Sequence, residues 1–484
     1  MVDPRPVLWG VGLLLAAFAP MMALPGLADW LGGGPDAPVY FASATFCLFA
    51  GLVFSLANLA QRDRVFSARQ IILLAVAGWL VLAAAGAVPF AFGHAHLAPA
   101  DAVFEATAGI TATGATVLRH LDGAPPGLLL WRALLQWMGG VGILAVGIAV
   151  LPQLNVGGMQ LYRFETARLD DRLAPRALRM LGGILAVYVG LTVILGLLLW
   201  AAGMPWFPSI LHAMSTISCG GFSTSDTSVG HWRSPNVDWV ILIGMLLGGA
   251  PFVVHWQIVR RQWRQVGRNS QLKGYLAAIL LASLAIAVWL VFERNEKPLP
   301  ALRHSLFAVT SVMTGTGYAT TRDWSVWDGF PLAMLFLLTF IGGCAGSTAG
   351  GIKVFRVQVL FANARLQFRR MLHPHAVLVP RFEGQTVSEA AAESVLGFLF
   401  VYILTFALLA MALALVGLGF SEALGAAASA LANLGPAISP DLGPLSSYGP
   451  LPDAAKWLLS AAMLFGRLEL FLLLALFSRD FWQD

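Results

Sequence analysis

Ten apolar stretches dominate the sequence, and at roughly 20 residues each they are long enough to cross a lipid bilayer as helices. Only 11% of the residues are charged, whereas a soluble globular chain has about 25%. The chain is therefore predicted to be an all-α polytopic membrane protein, and a soluble enzyme, a disordered chain and a nucleic-acid binder are poor interpretations. The stretches run approximately over residues 7–27, 38–60, 70–92, 127–151, 180–202, 237–259, 274–292, 331–352, 392–417 and 454–478.

Most of the 30 Lys and Arg residues lie in alternate connections between these stretches. Arg62, Arg64 and Arg69 belong to this set, and further groups occur at 163–179, 260–273 and 353–381. Because cytoplasmic connections carry the excess of Lys and Arg, both termini are predicted to be cytoplasmic. The net charge of +5 then reflects topology and requires no nucleic-acid partner. The first stretch is interpreted as a retained helix and not as a cleaved signal peptide.

Four of the opposite connections each contain a moderately apolar stretch of about a dozen residues, which is too short to span the bilayer and is therefore interpreted as re-entrant. Each re-entrant stretch lies between two spans, and four such units form an internal repeat. We predict an N-terminal two-helix hairpin at 1–66 and pore repeats at 67–160, 161–265, 266–375 and 376–484. The stretches read AVFEATAGITATGATVL, ILHAMSTISCGGFSTSD, LFAVTSVMTGTGYATT and AAASALANLGPAIS.

Each re-entrant stretch contains a glycine that follows small or polar residues. Backbone at membrane depth must be satisfied internally unless it lines a watery cavity, so an extended glycine-containing segment can present carbonyl oxygens there. Four such segments around one axis could replace the hydration shell of a monovalent cation. The alternative is four outer loops with ordinary glycine turns. Aligned at one glycine, the four filter segments are Thr111-Ala112-Thr113-Gly114, Ile217-Ser218-Cys219-Gly220, Val312-Met313-Thr314-Gly315 and Ala432-Asn433-Leu434-Gly435.

With these segments the chain resembles the Trk/Ktr/HKT superfamily of potassium transporters, and within it the bacterial TrkH/TrkG membrane subunits. The resemblance covers essentially the whole chain and is also carried by Phe104-Glu105-Ala106-Thr107, Gln136-Trp137-Met138-Gly139-Gly140 and Gly220-Gly221-Phe222-Ser223-Thr224.

The resemblance implies potassium uptake across the bacterial inner membrane through a pseudo-fourfold pore within one chain. It also implies a homodimer and gating by a cytosolic nucleotide-binding regulatory subunit of the TrkA type. Potassium would be the transported ion, and no cofactor is expected on this chain. None of the segments carries the TVGYG sequence of tetrameric potassium channels, so selectivity for K⁺ over Na⁺ is expected to be real but weaker than in those channels.

A glycine-rich segment interrupts the last span of the third repeat. Since glycine costs about 1 kcal/mol per residue in a helix interior relative to alanine, the helix is predicted to break here, with Ser347 and Thr348 facing the cavity. We interpret the segment as a flexible gate under the filter, as the resemblance also implies; small residues for close helix packing are the alternative. The segment reads Gly342-Gly343-Cys344-Ala345-Gly346-Ser347-Thr348-Ala349-Gly350-Gly351.

One charged residue lies in the final predicted span, and another lies in the first re-entrant stretch. Arg467 lies near the centre of the final stretch, too deep to reach the interface easily. It either faces the permeation path, where it would repel cations as the resemblance suggests, or pairs with a carboxylate such as Glu469. Glu105 either attracts cations or hydrogen-bonds the filter.

Other function classes are less well supported by the sequence. An obligatorily coupled K⁺/H⁺ or K⁺/Na⁺ symporter is the main alternative, although the spans supply few titratable groups for coupling. An intramembrane enzyme would need a constellation such as HExxH or GxSxG, and the sequence contains neither. A nucleotide that controls the pore would bind another polypeptide. The basic segment from Lys353 to Glu389 could dock that subunit or face anionic lipid.

Overall fold

The computed structural model describes residues 3–61, 66–149, 173–320, 324, 327–373, 375, 381–382, 385–386, 388–439 and 441–483. Arg62, Arg64 and the basic cluster at 163–172, together with the predicted boundary at residue 160, lie outside these residues.

The described chain is almost entirely helical, and short 3₁₀ turns and one small antiparallel hairpin of strands complete it. Four short helices precede the filter segments: Pro99–Ile110, Trp206–Ile217, Pro298–Met313 and Phe420–Ala432. The strands are Arg381–Phe382 and Gln385–Thr386. The other helices are Arg5–Gly32, Ala37–Ala57, Ala68–Phe92, Pro126–Ala149, Leu173–Ala201, Pro235–Gly249, Phe252–Val259, Trp263–Val266, Ser270–Glu293, Phe330–Ile341, Val354–Leu372, Glu389–Leu415, Asp453–Arg467, Phe471–Leu476 and Arg479–Trp482.

Among the described residues, seven helices are long and apolar enough to cross a membrane, and two bent helix pairs raise that number to nine. These nine correspond to nine of the ten predicted spans. The remaining stretch, 331–352, contains a helix of only 12 residues, Phe330–Ile341, followed by the glycine-rich segment. The chain becomes helical again at Val354, so the predicted helix break is confirmed.

Two further breaks were not predicted from the sequence. Pro235–Gly249 and Phe252–Val259 meet at 101°, and Pro251 at this bend cannot donate the hydrogen bond that a continuous helix needs. Asp453–Arg467 and the helix after it meet at 112°, where Glu469 adopts a φ of 58°. The second helices of repeats two, three and four are therefore all interrupted.

The four short helices form a closed cycle of contacts with the long helices that follow the filter segments. The second short helix packs against Pro126–Ala149 of the first repeat, and the third packs against Pro235–Gly249 of the second. The fourth packs against Phe330–Ile341 of the third repeat, while the first packs against Asp453–Arg467 of the fourth. Each repeat therefore supports the short helix of the next, and the fourth closes on the first.

The N-terminal hairpin, Arg5–Gly32 and Ala37–Ala57, packs against the first repeat. A carboxylate oxygen of the buried Asp29 accepts a hydrogen bond from the Gly127 amide at 2.5 Å, at the first turn of Pro126–Ala149. The first and last described residues both contact the first turn of Ala68–Phe92: Arg69 donates to the Gln483 carbonyl at 2.6 Å, and Gln70 donates to the Asp3 carbonyl at 3.1 Å. Asp3 and Gln483 therefore lie at the same end of the helix bundle.

Candidate functional site

The four filter segments share one backbone conformation. In each segment, one backbone N–H donates a hydrogen bond of 2.8–2.9 Å to the carbonyl of the residue five positions earlier, near the end of the short helix. The preceding residue has a φ of 49° to 73°, and the glycine that follows has a φ of 76° to 97°. The donor residues are Thr113, Gly220, Thr316 and Leu434, and the glycines that follow them are Gly114, Gly221, Gly317 and Gly435.

This geometry corrects the sequence alignment in the second and third filter segments. There the alignment used Gly220 and Gly315, the first glycine of a close pair, whereas Gly221 and Gly317 are equivalent to Gly114. It was therefore wrong by one residue in the second segment and by two in the third. Ile217 ends the second short helix, and Val312 and Met313 form the last turn of the third. We therefore redefine the filter segments as 111–114, 218–221, 314–317 and 432–435.

Consecutive filter segments touch at equivalent backbone atoms and form a closed ring. A β-carbon at Gly114 would overlap the carbonyl oxygen of Gly220, and one at Gly221 would overlap that of Thr316. The same relation joins Gly317 to the Leu434 carbonyl and Gly435 to the Thr113 carbonyl. Each glycine thus approaches the carbonyl of the residue before the equivalent glycine in the next repeat. The absence of a side chain at these four positions permits the contact.

A buried glutamine of the first repeat forms hydrogen bonds with the second filter segment and the residues around it. The Gln136 amide nitrogen donates to the Gly220 carbonyl at 2.7 Å, and its oxygen accepts from Ser215 at 2.5 Å and from the Phe222 amide at 3.1 Å. The Gln136 side chain is fully buried. These three hydrogen bonds all go to the second repeat, so this residue of the first repeat positions the second filter segment.

Glu105, considered from the sequence as attracting cations or hydrogen-bonding the filter, forms its hydrogen bonds just beyond the first filter segment. Its carboxylate is fully buried and pairs with Arg132 at 2.8 Å, and it accepts hydrogen bonds from the Thr116 hydroxyl and the Val117 amide at 2.9 Å. Arg132 also donates to the Ser223 carbonyl at 2.9 Å. The pair therefore joins the chain after the first filter segment to the chain after the second.

The glycine-rich segment lies against the helix-end side of the ring. The Thr348 hydroxyl is in hydrogen-bonding contact with the Ile217 carbonyl at 2.9 Å and with the Cys219 sulfur at 3.2 Å. A β-carbon at Gly350 would overlap the Ala432 carbonyl. Ser347 donates to the Cys344 carbonyl within the segment at 2.6 Å. Both hydroxyls therefore bind protein atoms and not an open cavity, which corrects the prediction for Ser347 and Thr348.

Arg467 is buried beside this segment and donates to the Thr348 carbonyl at 2.8 Å. Its Nε and Nη2 atoms are buried without a hydrogen-bond partner. Glu469, the carboxylate considered as its partner, instead pairs with Arg356 at 2.5 Å. Arg467 therefore contacts the candidate gate directly.

Two basic residues that were assigned to the cytoplasmic connection are in fact part of this region. Lys353 is buried and donates to the Ala349 carbonyl at 2.9 Å. Arg356 is 1% exposed, and its guanidinium lies 3.8 Å from the ring centroid of Phe398. Both residues fix the downstream end of the glycine-rich segment, and a surface role for them is wrong.

A vestibule of about 550 Å³ opens on the other side of the ring, and Gly114, Gly221, Gly317 and Pro436 lie in its wall. Charged side chains of both signs also line it, among them Arg119, Asp226 and Asp441. The vestibule is lined by the ring glycines and by residues that follow them in the chain. The glycine-rich segment contacts residues that precede the ring glycines. The ring therefore separates the two. No group of three His, Cys, Asp or Glu side chains suited to a metal ion occurs within the described ranges.

Comparisons with known proteins identify the family. The model of the TrkH family, described as a cation transport protein, matches residues 39–292 and 272–484. The Trk system potassium uptake protein TrkI of Halomonas elongata is 37% identical over 481 residues, which are 99% of this chain and 97% of the relative. The Trk system potassium uptake protein TrkH of Salmonella typhimurium is 36% identical and covers 98% of both chains.

A solved structure gives the same assignment. The crystal structure of the potassium transporter TrkH from Vibrio parahaemolyticus matches with a TM-score of 0.91 at 32% sequence identity, over 100% of both chains. The all-helical membrane fold predicted from the sequence is thereby confirmed. The chain belongs to the TrkH family of cation transport proteins.

Proposed function

We propose that this protein takes up K⁺ across the bacterial inner membrane through a channel-like pore whose selectivity filter is the ring of four filter segments. The observation that carries the proposal is the closed set of contacts from Gly114 to the Gly220 carbonyl, and onward through the repeats back to Thr113. Backbone carbonyls in such a ring can replace the hydration shell of a monovalent cation. Relatives named as potassium uptake proteins support K⁺ as the transported ion.

We propose further that the glycine-rich segment and Arg467 close the pore under the filter. Thr348 contacts Cys219 of the second filter segment and Gly350 contacts Ala432 of the fourth, both from that side, and Arg467 adds a positive charge at the same place. A cation that leaves the ring would meet this charge in a poorly hydrated environment, where repulsion is strong. Opening then requires the segment to move away from the ring.

The remaining parts of the proposal concern assembly and orientation. We propose a homodimer with both termini in the cytoplasm and a cytosolic nucleotide-binding regulatory subunit of the TrkA type that opens the gate. The Trk system names of the relatives and the basic connections of this chain support these assignments. The contacts of Asp3 and Gln483 with the start of one helix agree with termini on one side.

The experiment is Rb⁺ flux into liposomes that contain the purified protein, with the membrane potential set by a known ion gradient. The proposal predicts concentrative uptake driven by voltage alone, blocked by K⁺ and much less by Na⁺. If flux without a regulator is low, addition of a TrkA-type subunit with nucleotide should raise it. Equal competition by Na⁺ and K⁺ would contradict a selective filter.

The same experiment tests the alternative, an obligatorily coupled K⁺/H⁺ or K⁺/Na⁺ symporter. That mechanism predicts Rb⁺ uptake only when an H⁺ or Na⁺ gradient is imposed, even with the regulatory subunit present. Voltage-driven uptake in the absence of both gradients would exclude it.

A further inference from the structure

Asn433 occupies a special position in the ring, at the contact between the fourth filter segment and the first. It is 1% exposed and has a φ of 53°. Its amide nitrogen donates to the Thr113 hydroxyl at 2.9 Å and to the Met463 carbonyl at 2.9 Å. We propose that Asn433 is a positioning residue for ion selectivity, which fixes Thr113 of the ring to the last long helix of the fourth repeat.

The chemistry of the neighbours determines the direction of every hydrogen bond at this contact. The Met463 carbonyl can only accept, so the NH₂ group of Asn433 must face it. Thr111 donates to the Thr107 carbonyl at 2.6 Å, so in its 2.7 Å contact with Thr113 it accepts. Thr113 therefore donates its hydroxyl hydrogen to Thr111, and one of its two lone pairs accepts from Asn433. A directed chain runs from Asn433 through Thr113 and Thr111 to the first short helix.

The amide of Asn433 also joins the ring to the helix that carries Arg467. Met463 is one turn before Arg467 in Asp453–Arg467. Between them, Gly466 lies so close to the end of the fourth short helix that a β-carbon there would overlap the Leu431 carbonyl and approach the Asn433 side-chain oxygen to 2.9 Å. One side chain therefore links the first filter segment directly to this helix, in addition to the packing of the first short helix against it.

The equivalent residues of the other repeats differ from Asn433. They are Ala112, Cys219 and Gly315, of which Ala112 and Gly315 have no polar side chain. The third repeat retains the paired hydroxyls, with Thr314 and Thr316 at 2.7 Å. Cys219 reaches the equivalent hydroxyl of the third segment, that of Thr316, through its thiol, which is a weaker partner. Among the described residues, an amide donor to a ring hydroxyl occurs at the contact between the fourth and first segments, so the ring is supported unequally around its circumference.

The unequal support of the ring should affect how well the ring discriminates K⁺ from Na⁺. Na⁺ is smaller than K⁺, so a ring that can contract accommodates it more easily. The hydrogen bonds that the Asn433 side-chain amide donates to Thr113 and Met463 resist contraction of the ring at one contact. Without these hydrogen bonds, Thr113 can move toward the axis, and the ring should discriminate less well against Na⁺.

The test uses the full-length protein in liposomes and compares the competition of K⁺ and Na⁺ with Rb⁺ uptake. Asn433→Gly removes the amide and keeps a residue that tolerates the positive φ. It should lower the K⁺ preference about fivefold, the factor that corresponds to one net hydrogen bond. Asn295→Gly makes the same substitution at an exposed residue outside the ring that also has a positive φ, 50°, and it should leave the preference within twofold of the wild type.

Thr113 provides a second route to the same result. Thr113→Val removes the hydroxyl that Asn433 binds and should lower the preference as Asn433→Gly does, while Thr113→Ser should retain it. The double variant Asn433→Gly/Thr113→Val should lose less preference than the sum of the two single variants, because the bond between Asn433 and Thr113 can be lost only once, although each variant also removes a bond of its own, to Met463 or to Thr111. If Asn433→Gly does not fold, the comparison of Thr113→Val with Thr113→Ser decides the question.

The inference rests on the proposed function, and the two can fail separately. A wild-type protein that does not prefer K⁺ would contradict the filter itself. A selective wild type, together with variants that lose thermal stability or total uptake but keep the K⁺ preference, would overturn only the role of Asn433. Additive effects of Asn433→Gly and Thr113→Val would overturn it as well.

Discussion

Four glycines with positive φ determine how closely the filter segments can approach one another. The sequence predicts where glycine is needed, since each re-entrant stretch has one after small or polar residues. It does not predict which glycine of a close pair takes the position, because Gly220 and Gly221, or Gly315 and Gly317, fit the same pattern. Only the φ values and the contacts with the next segment distinguish them.

Gly221→Ala tests this assignment. Gly221 has a φ of 81°, and the β-carbon of an alanine at this position would overlap the Thr316 carbonyl. The segment must therefore shift. The K⁺ preference measured by Rb⁺ flux should fall by at least about tenfold, which is more than backbone strain of roughly 1 kcal/mol would cause alone. Gly123→Ala is the control, because nothing lies within 4 Å of its added β-carbon. A Gly221→Ala protein with wild-type selectivity would contradict the ring contact.

The buried pair of Glu105 and Arg132 gives a second prediction at the residue scale. Glu105→Gln leaves a buried guanidinium without its carboxylate, which should destabilise the fold by about 3–5 kcal/mol. The unfolding temperature should therefore fall markedly. Asp328→Asn, in an exposed pair with Arg294, should change it by only about 1 kcal/mol or less. Equal effects of the two substitutions would refute the bracing role.

At the scale of helices and loops, the interruptions of the long helices are the main departure from a simple bundle. Five glycines in ten residues predict the break at Gly342–Gly351. The bend at Pro251 has a clear sequence signal in Gly248-Gly249-Ala250-Pro251, which the hydropathy pattern conceals because the stretch is uniformly apolar. The bend near Glu469 has no proline or glycine at its centre, so packing and the ion pair with Arg356 must specify it.

Glu469→Gln should loosen the candidate gate. The pair with Arg356 ties the helix after the glycine-rich segment to the bend in the last span. Loss of this buried pair weakens the anchor at one end of the segment, so Rb⁺ leak without a regulatory subunit should rise severalfold. Glu389→Gln, which affects an exposed pair with Arg370, should not change the leak. A less stable protein with unchanged leak would assign the pair a purely structural role.

At the scale of the whole molecule, the repeats close into a cycle because each short helix packs on the preceding repeat and the first packs on the fourth. The sequence predicts four units from four matching stretches. It does not predict the closure, which depends on contacts between residues hundreds of positions apart, such as Asn433 with Thr113. The N-terminal hairpin lies outside this cycle and is attached to its first repeat.

Asp29→Asn should weaken that attachment. The Asp29 carboxylate accepts from the Gly127 amide at the start of a helix, where a negative charge is favourable. The asparagine oxygen can still accept from Gly127, so loss of the charge should reduce stability by only about 0.3–1 kcal/mol, seen as a slightly lower unfolding temperature. Rb⁺ uptake per folded molecule and the K⁺ preference should not change. A changed preference would mean that the hairpin contributes to the filter.

The central claim is that the ring of four filter segments binds the transported ion, and crystals grown in Rb⁺ test it most directly. Anomalous scattering should place Rb⁺ among the carbonyls of Thr113, Gly220, Thr316 and Leu434, and K⁺ should displace it far better than Na⁺. Ordered Rb⁺ elsewhere in the protein, with none at the ring, would contradict the account.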